Sequence, residues 1–304
     1  MPRALLTSAG HDTDRGDERG NRARMLRITV LGSGSRGNAI LVDGTDGAVL
    51  IDAGFGPRAL ATRLQAAGRR PEEISALLLT HEHTDHASGA AKACRRWGWP
   101  LYGSAGTIDA LRSGPGTGDP PRDARAFVDV GPTAIAGFHV ETTTVPHDAR
   151  DCRALVLTDI RSGARAGVTM DVGRVPEALP VTFERLDLIV VESNHDEQML
   201  ARGPYPWLLK QRISGGLGHL SNGAAAAFVS SCAHRGLRGV LLTHLSETNN
   251  LPALAIERTR DALRRAGWRR DALWASSQHA PLPPMTSTGE SAGLVRASQL
   301  SFGI

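Results

Sequence analysis

The sequence predicts an α/β protein: a four-layer αββα sandwich of two mixed β-sheets packed face to face, with helices outside. Three observations carry this expectation. Short apolar runs alternate with helical segments over residues 25–280, the pattern of a layered α/β domain. The chain echoes itself, with AVLIDAG then LLLTH in the first half and GVTMDVG then GVLLTH in the second. Imidazoles and carboxylates follow several of these runs directly, and layered sheets gather ligands at the carboxyl ends of their strands.

The elements follow in order. LRITVLG, AILVDG and AVLIDAG read as strands separated by Gly-rich turns. PRALATRLQAAG is an amphipathic helix stopped by Gly68. ISALLLT is a buried strand and ASGAAKACRRWG a helix. Residues 127–145 supply short strands, ending in FHVETTTVPHD. RALVLTD and RAGVTMDVG are further strands, VPEALP a short helix and LDLIVVESN another strand. Helices follow at DEQMLARG, YPWLLKQRI and SNGAAAAFVSSCAHRG, then the strand GVLLTH and the helix PALAIERTRDALRRAG. Residues 1–24 are polar and patternless, as in a disordered leader, and Met25 is an alternative start. Residues 281–304 read as a loop-like tail. The domain expected between them spans 25–280.

Composition sets bounds on function. A hydrophobic share of 41% supports a sizeable core, and a formal charge of +4 permits a polyanionic partner without demanding one. Three cysteines, Cys94, Cys152 and Cys232, with no CxxC, indicate neither a disulfide framework nor a zinc ribbon. A reducing cytoplasm fits such usage. No apolar stretch reaches the length of a membrane span.

The segment GSGSRG, Gly32 to Gly37, matches the dinucleotide-binding spacing, and Asp52 lies where the ribose-binding acid would be. The motif must open a helix, however, and two strands with an Asp-Gly turn follow instead. The glycines are expected to fold a tight loop near the active site.

The chemistry is concentrated in THEHTDHASG. His81 and His83 alternate, so an extended loop can aim both at one point, while Asp85 and His86 can aim at a second point nearby. Such donors suit Zn²⁺, Mn²⁺ or iron. Four ligands are too few for two metals, and His147, Asp171 and His244, each at a strand end, complete the set. Asp171 is the natural bridge, one carboxylate oxygen for each ion. Two metals can clamp an attacking hydroxide and the oxygens of a phosphoryl or acyl group. His11, His139, His234 and His279 lack this context and read as surface or hydrogen-bonded residues.

H-x-H-x-D-H followed by isolated His, Asp and His at strand ends resembles the metallo-β-lactamase superfamily, over about residues 26–280. The resemblance implies the αββα fold. It implies His81, His83 and His147 on one metal and Asp85, His86 and His244 on the other, with Asp171 bridging. In phosphodiesterase branches of that superfamily, such as the tRNA 3′-processing nuclease, a Glu and a His form an acid pair beside the metals. Glu192 and His219 match by position. Ser221 and Asn222 would cap the next helix, whose free N–H groups can bind phosphate. More narrowly, LGSGSRGNAILV, THEHTDHASG, ESNHDEQMLARGPYPWLLKQRISGGLGHLSN and THLSETNN resemble the YycJ/WalJ/VicX group. That resemblance implies two Mn²⁺ or Zn²⁺ ions and 5′-to-3′ exonuclease action on DNA or single-stranded nucleic acid, with a metal-bridging hydroxide as nucleophile and Asp85, Glu192 and His219 as catalytic residues.

About 70 residues separate Asp171 from His244, too few for an inserted clamp domain. Substrate is then held by loops or by the partner subunit of a homo-oligomer. RRAGWRR, residues 264–270, reads as a solvated helix end rather than a nucleic-acid patch, and the five tryptophans as packing residues. The competing functions are a small-molecule hydrolase, such as a cyclic phosphodiesterase or thioesterase, and a non-enzymatic regulator that binds a signalling protein.

Overall fold

A computed structural model describes residues 25–113, 123–128 and 130–289. The predicted leader lies outside the described residues, as does the tail from residue 290. One seven-stranded sheet runs in the order β14-β1-β2-β3-β4-β5-β6 and a second in the order β13-β12-β11-β10-β9-β8-β7, where β5 is Leu101–Gly103, β6 Ala124–Ala126, β7 Thr133–Ile135, β13 Leu273–Ala275 and β14 Met285–Thr286. The strands of the first that bear on the site are β1 (Arg27–Gly32), β2 (Ala39–Asp43), β3 (Ala48–Ile51) and β4 (Ala76–Leu78). Those of the second are β8 (Phe138–Thr144), β9 (Arg153–Asp159), β10 (Arg165–Thr169), β11 (Leu188–Glu192) and β12 (Gly239–Thr243).

Apart from β8, which alternates buried and exposed positions, these strands read as continuous apolar runs because both of their faces are covered. Alternate residues divide between two cores. Ile40, Val42, Val49 and Ile51 of the first sheet meet Leu155, Leu157, Val168 and Val190 of the second in the central layer. The residues between them, Leu41 and Leu50 on one sheet and Val156 and Ile189 on the other, face the outer helices. This double burial confirms the αββα arrangement.

The echo is structural as well. β3 pairs in parallel with β4, and β11 pairs in parallel with both β10 and β12. The carboxyl ends of each parallel set therefore share an edge. Residues Asp52, Asp171 and His244, one or two positions beyond β3, β10 and β12, have φ of 60°, 50° and 53°. Left-handed backbone at a non-glycine residue is costly and is retained where the surroundings require it. Here it turns three polar side chains back across the sheet edge.

One boundary differs from the expectation. Met285–Thr286 forms strand β14, paired antiparallel with β1 through Ile28↔Met285 and Arg27↔Thr286. The segment after residue 280 thus edges the first sheet before the described chain ends at 289. Two paired residues are too few to show a periodic pattern in sequence.

Candidate metal centre

The loop after β4 carries His81 and His83, and the one-turn helix α2 (Thr84–Ala87) carries Asp85 and His86. This turn sits against the loop after β3, where Gly54 is required because a Cβ would overlap the Asp85 carbonyl oxygen. His147 follows β8, Asp171 follows β10 and His244 follows β12.

The seven side chains form two quartets that share Asp171. In each quartet the candidate ligand atoms lie within 4.8 Å of one another: His81, His83, His147 and Asp171 in the first, Asp85, His86, Asp171 and His244 in the second. Asp171 Oδ2 lies 3.5 Å from His81 Nε2, 3.6 Å from His147 Nε2 and 3.3 Å from His86 Nε2. It therefore faces donors of both quartets, whereas one oxygen for each was expected. Oδ1 instead lies 3.2 Å from His244 Nδ1. Asp85 Oδ2 is 3.2 Å from His244 Nε2 and 3.4 Å from His86 Nε2.

The residues fit divalent metal binding. His81 Nε2 and Asp171 Oδ1 are buried with no hydrogen-bond partner, an arrangement that costs free energy unless a ligand completes it. Burial, reinforced by the neighbouring His86, holds His81 well below the usual imidazole range, so it offers a lone pair. The donors are nitrogen and oxygen without thiolate, suited to Zn²⁺ or Mn²⁺ alike.

Outer contacts orient the rings. His86 Nδ1 lies 2.7 Å from Asp52 Oδ2, whose carboxylate also accepts the Thr80 N–H at 2.8 Å. His147 Nδ1 faces the Gly218 carbonyl at 3.0 Å, and His81 Nδ1 faces the Thr80 hydroxyl at 3.1 Å. Asn194 Nδ2 lies 3.3 Å from His244 Nδ1, and the backbone N–H of His244 donates to Ser33 Oγ at 2.8 Å. Fixing one ring nitrogen aims the other at the centre.

Beside the quartets, His219 Nδ1 lies 3.1 Å from Glu192 Oε2 and 3.9 Å from Asp171 Oδ1. Burial disfavours its protonation, but the Glu192 and Asp171 carboxylates outweigh that and push it up to about 9. A cleft of about 250 Å³ is lined by His83, Asp85, His147, Asp171, His219 and His244, with His81, His86 and Glu192 buried behind them.

The profile of the metallo-beta-lactamase superfamily matches residues 32–206, more than half of the chain. The chain belongs to this superfamily. Within it, the chain is 32% identical over 241 residues to exodeoxyribonuclease WalJ of Streptococcus pneumoniae serotype 2, covering 76% of this chain and 85% of that protein. It is 31% identical over 231 residues to exodeoxyribonuclease YycJ of Bacillus anthracis, covering 76% and 86%. The metallo-beta-lactamase fold protein YhfI of Bacillus subtilis superposes with a TM-score of 0.61 at 18% identity, covering 85% of this chain and 99% of that one.

Two residues expected at this superfamily site are placed elsewhere. Ser221 does cap helix α8 (Asn222–Ser231), accepting the Ala224 N–H. Its hydroxyl donates to Glu197 Oε1 at 2.6 Å, and the same oxygen accepts the Gly223 N–H. The Asn222 N–H is bonded to the His195 carbonyl, and the Asn222 side chain is buried against Ser193 and Asn250. With its first three N–H groups taken and a carboxylate already at its end, this helix offers no phosphate site, and the substrate-binding role expected for Ser221 and Asn222 is withdrawn. Trp207 is also corrected: it is 69% exposed and not a packing residue. By contrast, Trp99 and Trp268 are buried, and Arg269 donates to the Arg264 carbonyl at the end of helix α9 (Pro252–Arg265), as a helix terminus requires.

Sequence reasoning missed Asp52, Asn38 and Asp148. Asn38 Nδ2 lies 3.0 Å from His86 Nε2 and 3.3 Å from Asp85 Oδ2. Asp148 Oδ1 lies 3.2 Å from His147 Nε2. The echo of LIDAG in TMDVG was the one available signal for Asp52, since it aligns Asp52 with Asp171.

Proposed function

We propose that the protein is a dinuclear metal-dependent phosphodiesterase, an exonuclease that degrades DNA from the 5′ end. The observation that carries this reading is His219. It stands at the cleft beside both quartets, in a third group with Asp171, Glu192 and His244 that has the same close spacing, and its Nδ1 is held by Glu192. A proton donor fixed there suits a substrate with a poor alkoxide leaving group, such as the sugar oxygen of a nucleic acid. The names of the WalJ and YycJ relatives agree with this substrate class, and the 5′ polarity rests on resemblance to their group.

In this reading His81, His83 and His147 with Asp171 hold one Mn²⁺ or Zn²⁺ ion, and Asp85, His86 and His244 with Asp171 hold the other. Bound ions supply an activated water and positive charge for the phosphoryl oxygens. Asp85, the most exposed of the ligand carboxylates at 19%, reaches the cleft and orients the attacking water. His219 gives its Nε2 proton to the departing oxygen, while Nδ1–H stays on Glu192 and stabilises the ring as it changes charge. The three cysteines are free and buried, in keeping with a cytoplasmic protein. Among the described residues no helix is long and apolar enough to cross a membrane.

The test is digestion of 5′- and 3′-labelled DNA and RNA by metal-free protein resupplied with Mn²⁺, Zn²⁺ or Mg²⁺. Mononucleotides released from the 5′ end of DNA are expected. Turnover of nitrocefin or an acyl thioester, with no cleavage of nucleic acid or of bis(p-nitrophenyl) phosphate, would replace this reading with a small-molecule hydrolase.

A further inference from the structure

Asp148 stands outside the two quartets, yet its side chain faces their donors from the cleft side. Its Oδ1 lies 3.2 Å from His147 Nε2 and 3.7 Å from His83 Nε2. Donor atoms that share one ion stand about 3–3.5 Å apart, given metal–donor lengths of about 2.0–2.2 Å. The distance to His147 falls in that range. It equals the 3.2 Å between His147 Nε2 and His83 Nδ1, two donors of the first quartet.

Shared protons do not account for this closeness. His147 Nδ1 faces the Gly218 carbonyl at 3.0 Å. A carbonyl only accepts, so in the neutral ring that a metal requires the proton sits on Nδ1 and Nε2 presents a lone pair. His83 Nε2 likewise faces the Asp148 carbonyl at 3.3 Å, which leaves the lone pair on Nδ1. His83 Nδ1 and Asp148 Oδ1 thus both approach His147 Nε2 with no hydrogen to share. Negative ends this close repel one another, and a cation among them turns the repulsion into attraction.

The carboxylate is held in place for this role. The Asp148 N–H donates to the Leu217 carbonyl at 3.1 Å. Its other oxygen, Oδ2, accepts Nε and Nη2 of Arg212, on helix α7 (Trp207–Ser214), at 2.8 and 2.6 Å. Arg212 therefore fixes the carboxylate plane and leaves Oδ1 alone toward the imidazoles, as a one-oxygen donor. The donor sets also differ without it. The first quartet offers three imidazoles and one carboxylate, whereas the second offers two of each.

We propose that Asp148 is an eighth metal ligand, which joins the first quartet through Oδ1 and fits that site to a six-coordinate ion. This rests on the two-metal reading above and extends it. Four nitrogen and oxygen donors satisfy tetrahedral Zn²⁺. Mn²⁺ takes six donors and suits carboxylate oxygen, so a further protein carboxylate favours Mn²⁺ more than Zn²⁺. Arg212 is a positioning residue in this scheme.

The experiment titrates the metal-free full chain with Mn²⁺ alone and with Zn²⁺ alone, following bound ions by calorimetry and elemental analysis. The variants are Asp148→Asn, Asp148→Ala and Arg212→Met. Asp148→Asn should weaken one Mn²⁺ ion about 100-fold and one Zn²⁺ ion about tenfold or less, the scale on which the supporting groups of a metal site act. The other ion in each titration should bind as in wild type, and Asp148→Ala should repeat the pattern. Arg212→Met leaves the donor in place and removes only an exposed ion pair, so affinities should stay within about threefold of wild type. Thermal unfolding of the metal-free variants should stay close to wild type. Equal losses for both metals would make Asp148 an outer support of the imidazoles, and a matching loss in Arg212→Met would make it a partner of Arg212 alone. Either result overturns the proposal, as would wild-type affinity in both Asp148 variants. Failure of the two-metal reading looks different: wild type itself would take up fewer than two ions.

Discussion

Glu192 is fully buried and holds His219 with one oxygen while the other is committed to the backbone. Oε2 lies 3.1 Å from His219 Nδ1, and Oε1 accepts the Val172 and Leu220 N–H groups at 2.8 and 2.7 Å. The acid pair is therefore braced by the loop that bears Asp171 and by the segment that precedes α8.

His219→Ala should keep both metals and the fold. It should lose about 10²–10⁴ in kcat on a substrate with an alkoxide leaving group, and less on bis(p-nitrophenyl) phosphate, whose leaving group needs little protonation. Adding a Glu192 substitution should cost little more, since the two act as a unit. Equal losses on both substrates, or lost metal, would give His219 another role.

Glu192→Gln preserves an acceptor for the two backbone N–H groups but removes the charge facing His219. The raised His219 value, about 9, means that the acid form is present below that pH and is lost above it. Without the carboxylate the ring should deprotonate sooner. The alkaline limb of the kcat profile should move about one pH unit or more toward neutrality, relative to wild type loaded with the same metal. A limb that stays in place would mean that some other group controls it.

Asp52→Asn should weaken the second quartet. Asp52 holds His86 Nδ1 at 2.7 Å, and such outer contacts typically contribute about 10–100-fold to metal affinity. Asn tolerates the left-handed backbone at this position, so the loss should appear in metal titration and not in thermal unfolding of the metal-free protein. Equal affinity for the second ion would refute the assignment.

Wild type should bind two transition-metal ions per chain, and Asp85→Ala should lower the content toward one and abolish most turnover. Elemental analysis that finds one ion in a fully active preparation would remove the two-metal mechanism.

Asp159 joins the two sheets. It accepts the Thr45 N–H at 2.6 Å from the β2–β3 turn and the Ser162 N–H at 2.7 Å from the β9–β10 turn. Burial would raise its pKa, but these donors and the two hydroxyls hold it below the usual carboxylate range. Its contribution is present above the ordinary Asp value and is lost as pH falls through the depressed one. Asp159→Asn should cost about 1–3 kcal/mol at pH 7. The gap in urea midpoint from wild type should narrow on acidification toward about pH 3. A gap independent of pH would show that the charge contributes nothing.

The sequence by itself determined the longer central strands and the seven candidate ligands, whereas the short strands Leu101–Gly103, Ala124–Ala126, Leu273–Ala275 and Met285–Thr286 left no legible pattern. The strands were legible because burial on both faces leaves unbroken apolar runs. The ligands were legible because parallel strands deliver their next residues to one edge, so donors at strand ends converge whatever the details of packing. Glu192 and His219 needed more, since nothing local distinguishes a buried Glu from a braced one.

Tertiary structure alone decided which polar groups face one another. Asp52 meets His86 across 34 positions, and Asp148 meets Arg212 across 64. Neither pairing leaves a periodic trace. Ser221 and Asn222 were misread because Glu197, 24 positions upstream, takes the helix end that phosphate would have used. The left-handed turns at Asp52, Asp171 and His244 are likewise set by the surrounding packing and not by residue type. Local sequence fixes propensity and periodicity, whereas the partners of a side chain are chosen by the fold that brings distant segments together.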